Sequence, residues 1–230
     1  MTSKNYNIAQ GSAKEYQTLS LDGQNLSISN GNTVELPTEL SGHGFPEGKV
    51  TGHIGTTYID LDVTNGAVKW IKTTNGGTTG WKILRGDTGW VKMQTVSVPK
   101  GQYIAMRRVN DTVTFKVVGG SFGRLGIVGR GKLGYVPQSY QADRGCRIIV
   151  PGGIIQGFRA TYSQQGMIFQ DDQRNQKVYG SWYVGGTDDS NFMRLVFDEV
   201  IPTEPINDIR FSSASWFTDD PYPTGNLDKV

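Results

Sequence analysis

The side chains with chemical potential in this 230-residue chain are four pairs of adjacent carboxylates, two histidines, one cysteine and two pairs of adjacent aromatics. Glycoside hydrolysis asks for two carboxylates about 5–10 Å apart, and Asp171/Asp172, Asp188/Asp189, Asp198/Glu199 and Asp219/Asp220 are the candidates. All but Asp198/Glu199 fall in turn-like sequence, where acidic pairs are commonly solvated. A Ser–His–acid triad needs a histidine base, but His43 lies between Gly42 and Gly44 and His53 follows Gly52, both far in sequence from the C-terminal half. Neither has a metal-ligand spacing around it. Asp60 and Asp62 could meet a hard cation, yet no EF-hand spacing accompanies them. A single cysteine, Cys146, excludes an intrachain disulfide and a Cys-based zinc site. Gly119 to Gly123 is glycine-rich, but no helix follows it to supply a dipole for phosphate. The reading is therefore non-catalytic, with no metal and no cofactor.

Binding chemistry is better represented. Saccharide recognition uses aromatic faces for sugar C–H groups and planar polar side chains for hydroxyls. Trp182–Tyr183 and Trp216–Phe217 are the aromatic pairs, with Arg159, Tyr162, Gln164, Asp219 and Asp220 near them in sequence and suited to hydroxyl contacts. Strand alternation turns only one member of each pair outward. The competing reading places Trp182 and Trp216 in a sandwich core.

The elements that must hold these residues are strands. Thirty-one glycines with abundant Thr and Tyr suit many short strands joined by tight turns. Residues 1–45 read as an N-terminal segment: a polar arm or short helix, then short alternating strands. In those strands Leu19, Leu21, Leu26, Ile28, Val34 and Leu36 share one apolar face. Three such strands cannot bury that face alone, so partner copies are expected to cover it. Pro37–Gly48 reads as a linker. Residues 46–95 read as a small β module with strands broken at Asn65–Gly66, Asn75–Gly77 and Gly86–Asp87, and with Trp70, Trp81 and Trp90 as its core. Residues 96–230 carry about ten strand signals, among them 132–136 and 153–162, and read as a β-sandwich or jelly roll. The expected class is all-β: a trimerising ribbon, a Trp-rich module and a sandwich head.

Charge and hydropathy bound the partners. With 23 basic and 21 acidic residues interleaved, and Arg107–Arg108 as the densest basic pair, nucleic acid is not an expected partner. No apolar run reaches membrane-span length, and the polar opening residues lack a signal-peptide pattern. Production in a cytosol follows as an expectation.

Two stretches carry a resemblance. Pro46 to Met93, with Gly55-Thr56-Thr57-Tyr58-Ile59-Asp60, Gly66-Ala67-Val68-Lys69-Trp70, Gly80-Trp81-Lys82 and Gly86-Asp87-Thr88-Gly89-Trp90 in that order, resembles a module of tail, baseplate and neck proteins of siphophages that infect Gram-positive bacteria. Residues 107–115, 134–140 and 215–225 are similar to parts of the terminal domains of such fibres, and Leu19–Pro37 looks like short trimerising β repeats. The resemblance implies a virion protein: a homotrimer attached through its N-terminal part to other tail or baseplate proteins, presenting its C-terminal head to host cell-wall saccharide. A head or neck decoration fibre and a glycan depolymerase are the alternatives. The chain departs from long fibres in lacking coiled-coil heptads and collagen repeats, so its reach is short.

Overall fold

The computed structural model describes residues 17–22, 25–35, 39–171 and 177–230. The expected arm over residues 1–16, Gly23 of the first turn, Leu36 of the ribbon face and Asp172 of one carboxylate pair lie outside the described residues. The rest is all-β, as expected, with two short 3-10 turns and no helix long and apolar enough to cross a membrane among the described residues.

The strands in chain order are β1 (Leu19–Asp22), β2 (Asn25–Ile28), β3 (Thr33–Glu35), β4 (Glu39–Gly42), β5 (Thr57–Asp60), β6 (Ala67–Lys72), β7 (Trp81–Lys92) and β8 (Tyr103–Val109). There follow β9 (Thr112–Val118), β10 (Leu125–Ile127), β11 (Gly145–Ile149), β12 (Gln164–Gln170), β13 (Val178–Val184), β14 (Met193–Phe197), β15 (Ile206–Phe211) and β16 (Ser215–Phe217). They form a three-stranded sheet β1-β2-β3, a seven-stranded sheet β16-β9-β8-β7-β6-β5-β4 and a six-stranded sheet β10-β15-β12-β13-β14-β11.

In the first sheet Leu19 pairs with Ile28, Leu21 with Leu26, and Leu26 with Val34. Cross-strand partners share a face, so these five residues form one apolar surface. Nothing among the described residues covers its rim: Leu19 is 71% exposed, Leu21 64% and Val34 57%. The opposite face is polar, with Ser27 and Thr33 hydroxyls 2.9 Å apart.

The two larger sheets pack β-sandwich-like around one core. Val91, Ile104, Met106 and Val113 come from the seven-stranded sheet, and Ile127, Cys146, Ile168, Trp182, Leu195 and Ile209 from the six-stranded one. Alternation is regular where it matters. In β14 Met193, Leu195 and Phe197 are buried while Arg194 and Val196 are half-buried on the other face. A smaller core of Tyr58, Ala67, Trp70, Trp81 and Tyr222 lies under β5 to β7. Trp70 and Trp81 are thus core, as read from the sequence, whereas Trp90 is half-buried with the Lys116 ammonium 4.4 Å from its ring centre.

Several local expectations are corrected. Gly86–Asp87 is not a turn but a point inside the twelve-residue β7, whose pairing with β8 slips register between Asp87 and Trp90. A glycine inside a strand often marks a bulge or a close approach. Here a Cβ on Gly86 would lie 3.0 Å from both Ile83 Cδ1 and the Tyr222 hydroxyl. β7 pairs with β6 through its first half and with β8 through its second, so one sheet runs through residues 39–118. Part of the expected linker, Glu39–Gly42, is an edge strand parallel to β5. Residues 132–136 and 153–162 are irregular rather than strands. Glycines at 152, 153 and 157 break the run, and its amides bond to scattered acceptors such as Ser190 O, Val150 O and Asn191 O.

One buried charge organises the β6–β7 loop. Lys72 is 1% exposed, and its ammonium donates to Thr74 O (2.9 Å), Thr74 Oγ1 (2.9 Å), Gly76 O (2.8 Å) and Thr79 O (2.6 Å). These oxygens replace its hydration shell. Lys72→Met removes these charge-assisted hydrogen bonds, although Thr79 O keeps the Thr74 hydroxyl as a donor at 2.7 Å, and folding stability falls by about 1.5–3 kcal/mol. Urea denaturation of the two proteins measures the difference.

Candidate functional site

A cleft of about 620 Å³ opens between the smaller core and the C-terminal segment. That size suits a small ligand. β6 and β7 supply Trp70, Trp81, Lys82 and Ile83, and Phe45 and Glu47 come from the loop after β4. The opposite wall is Arg108, Asp111 and the run from Phe217 to Tyr222. Aromatic edges set the floor: Phe45 meets Trp70 at 5.4 Å and 87°, and Trp70 meets Tyr222 at 5.9 Å and 82°. Trp81 is anchored by its indole N–H donating to Val50 O at 2.8 Å. The Trp70 indole nitrogen is buried and has no hydrogen-bond partner. Glu47 accepts the Gly80 and Trp81 amides at 3.2 and 2.7 Å, so its carboxylate is structural. Phe217, Asp219, Asp111 and Lys82 stand exposed at the mouth.

Arg108 holds the far wall. Its guanidinium, 2% exposed, donates from Nε to Asn110 O at 2.6 Å and from Nη1 to Gly157 O, Asp220 O and Pro221 O, each at 3.0 Å. Burial draws its pKa below the ordinary arginine value, with Asp111 opposing that shift. Asp220, 8% exposed, answers it from the other side. Its carboxylate accepts the Gly157 amide at 2.8 Å and forms a two-oxygen pair with Arg159. Burial alone raises the pKa of Asp220, but the Arg159 and amide hydrogen bonds outweigh it and hold the group below the usual carboxylate range.

Of the residues read from the sequence as saccharide contacts, Asp219 and Asp220 line the cleft. Arg159 reaches it only through Asp220. Asp219 accepts from the Thr161 hydroxyl at 2.9 Å, and the Thr161 amide donates to Phe217 O; Tyr162 is 70% exposed and Phe217 74%. Trp182 and Trp216 are corrected: each is 3% exposed and belongs to the main core, with Phe115 edge-on to Trp182 and tilted against Trp216. Their indole N–H groups donate to Ser212 Oγ and Phe158 O. They offer no face to a sugar. Tyr183 sits elsewhere, on the outer face of β13, its hydroxyl 2.6 Å from Ser163 Oγ and 2.8 Å from Asp189 Oδ2. Gln164 donates to Tyr162 O. Phe45, Lys82, Asp111 and Tyr222 went unread; a Tyr between two prolines, Pro221 and Pro223, was the only signal.

The carboxylate pairs have structural partners. Asp171 is clamped by Arg124 and Arg210 at 2.7 and 2.8 Å, Glu199 by Lys177 at 2.6 Å, and Asp188 lies 3.4 Å from Ser163 Oγ. The hydrogen bonds from these cations hold Asp171 and Glu199 below their ordinary pKa. A general acid in glycoside hydrolysis requires the opposite shift. Asp60, 1% exposed, accepts the amides of Gly44, Asp62 and Thr64. His43 Nδ1 lies 2.7 Å from Asp62 Oδ1, and that contact raises its pKa. His53 Nδ1 lies 3.2 Å from Asn75 Oδ1. The cleft thus combines a nearly buried aromatic floor with a rim of two carboxylates and one ammonium.

Comparison with known protein families, with curated proteins and with solved structures finds no match to this chain.

Because the Asp220 pKa is depressed in the folded state, the stability it contributes is complete above its unfolded value near 3.8 and is lost as pH falls through the folded value. Asp220→Asn removes that contribution at every pH. The stability gap between wild type and Asp220→Asn is then wide at pH 7 and shrinks below pH 4, as denaturant titrations at both pH values measure.

Proposed function

We propose that this protein is an adhesive subunit of a phage virion, a homotrimer that attaches through its N-terminal part and binds host cell-wall saccharide with its C-terminal body. The observation that carries the reading is the uncovered apolar face of Leu19, Leu21, Leu26, Ile28 and Val34. A sheet of three- and four-residue strands is marginal on its own in water, and large apolar side chains gain about 1.5–3 kcal/mol each on full burial. Copies of the same ribbon wrapped about a common axis bury the face against itself, which also aligns the heads for multivalent contact. Avidity then raises weak single-site binding without new contacts.

The cleft supplies the single-site chemistry. Sugar rings present C–H faces and hydroxyls together, and the cleft mouth presents the exposed Phe217 ring with Asp111, Asp219 and Lys82. The structural engagement of the carboxylate pairs supports binding over hydrolysis. Tail or baseplate proteins are the proposed attachment partners, and the virion is the proposed location.

The test uses the full chain and purified cell-wall glycans from Gram-positive bacteria. Wild type is retained on at least one glycan. Asp219→Ala and Phe217→Ala, whose side chains are exposed, weaken binding by about tenfold or more, equivalent to about 1.4 kcal/mol, with circular dichroism unchanged. Retention on no glycan, or release of reducing ends from the wall material, contradicts the proposal.

A further inference from the structure

Away from the cleft, two arginines stand together with nothing to neutralise them. Arg147 on β11 and Arg194 on β14 are direct cross-strand partners. The Arg147 amide donates to Val136 O, away from β14. The pair is therefore of the non-hydrogen-bonded kind, in which facing side chains lie closest. Both occupy the outer face: Arg147 is the one half-buried position in a strand of buried residues, and Arg194 lies between buried Met193 and Leu195. Like charges directly opposite each other destabilise a sheet.

Four other arginines of the sandwich have carboxylate partners. Arg107 pairs with Asp87, Arg124 and Arg210 share Asp171, and Arg159 pairs with Asp220. Among the described residues neither Arg147 nor Arg194 makes an ion pair or a side-chain hydrogen bond, and one nitrogen of each, Arg147 Nη1 and Arg194 Nε, is shut off from solvent without an acceptor. Aromatic rings hold the guanidiniums in place instead. Arg147 lies 4.8 Å and Arg194 5.4 Å from the Phe192 ring centre, and Arg194 lies 4.3 Å from that of Tyr183. Asp189, which reaches this region through Tyr183, accepts the tyrosine hydroxyl and pairs with neither arginine.

We propose that Arg147 and Arg194 form a binding site for an oxyanion, a phosphate or carboxylate group, on the outer face of β11 and β14. Two adjacent guanidiniums present forked donors that match such groups bidentately. An anion that bridges the accessible donors of the two guanidiniums turns repulsion into attraction. Stacking on Phe192 and Tyr183 fixes the planes in advance, so little side-chain freedom is lost on binding. The site shares no residue with the cleft and stands apart from the adhesion proposal.

The experiment follows thermal unfolding of the full chain at pH 7 in sodium chloride, sodium phosphate and sodium glucuronate at matched ionic strength, with calorimetric titration of the same salts. In wild type the melting temperature rises saturably with phosphate or glucuronate over the chloride baseline, as ligand linkage requires. The stronger of the two identifies the anionic group. Arg147→Gln and Arg194→Gln each weaken binding by about tenfold or more, Arg194→Lys retains part of it, and the double glutamine variant loses it. In chloride the single glutamine variants melt no lower than wild type, because repulsion is relieved. A response in wild type that is absent, or linear in concentration without saturation, overturns the proposal, as does an equal response in the double variant. Should the variants fail to fold, the relief of repulsion is refuted and with it the argument for the site.

Discussion

The arrangement of the body depends on one buried cation, Arg108. A guanidinium removed from water is expensive unless every donor finds an acceptor, and here the acceptors are mostly main-chain carbonyls from distant parts of the chain. Asn110 belongs to the β8–β9 turn, Gly157 to the irregular run before β12, and Asp220 and Pro221 to the C-terminal segment. Those carbonyls face one point only when the three segments are docked together. Asp220 repeats the logic with opposite sign, using its carboxylate to gather the Gly157 amide and the Arg159 fork. Once the C-terminal segment is fixed, Tyr222 enters the smaller core beside Trp70, and the far wall of the cleft exists. Asn65 extends the same docking, its side-chain amide donating to Pro223 O and Gly225 O.

This explains what could be read from the residues and what could not. Hairpins announce themselves locally: Asn110 adopts the left-handed φ of 53° that a tight two-residue turn between Val109 and Thr112 requires, and asparagine tolerates it. The alternation that buries Leu195 and turns its half-buried neighbours to the other face is equally local. Trp70 and Trp81 were legible as core because a short stretch has few other large groups to bury. By contrast, Gly86–Asp87 carries the same chemistry as a turn, yet it lies inside a continuous strand, where the Tyr222 hydroxyl from far along the chain packs close to Gly86. Glu39–Gly42 looked like a linker because its pairing partner, β5, runs parallel and leaves no hairpin signal.

The candidate sites follow the same division. Asp219 and Asp220 both line the cleft, but their roles differ. One points to the mouth, while the other is consumed in holding the wall. Trp182 and Trp216 share the alternation of their strands, which turns them inward and leaves Tyr183 and Phe217 on the outside. The pairing of Arg147 with Arg194 depends on strand register between segments far apart in sequence, and no local pattern encodes it. Buried cations satisfied by carbonyls, as at Arg108 and Lys72, are invisible to charge counting for the same reason.

Two surfaces then remain to be explained by partners: an amphipathic ribbon with its apolar side uncovered, and a body with a ligand-sized cleft. The proposed trimer rests on the first, because among the described residues nothing covers Leu19 or Leu21. Sedimentation equilibrium of the full-length protein at micromolar concentration tests this most directly. A particle of three times the 25.2 kDa chain mass is predicted. A stable, folded species at the single-chain mass would contradict the account.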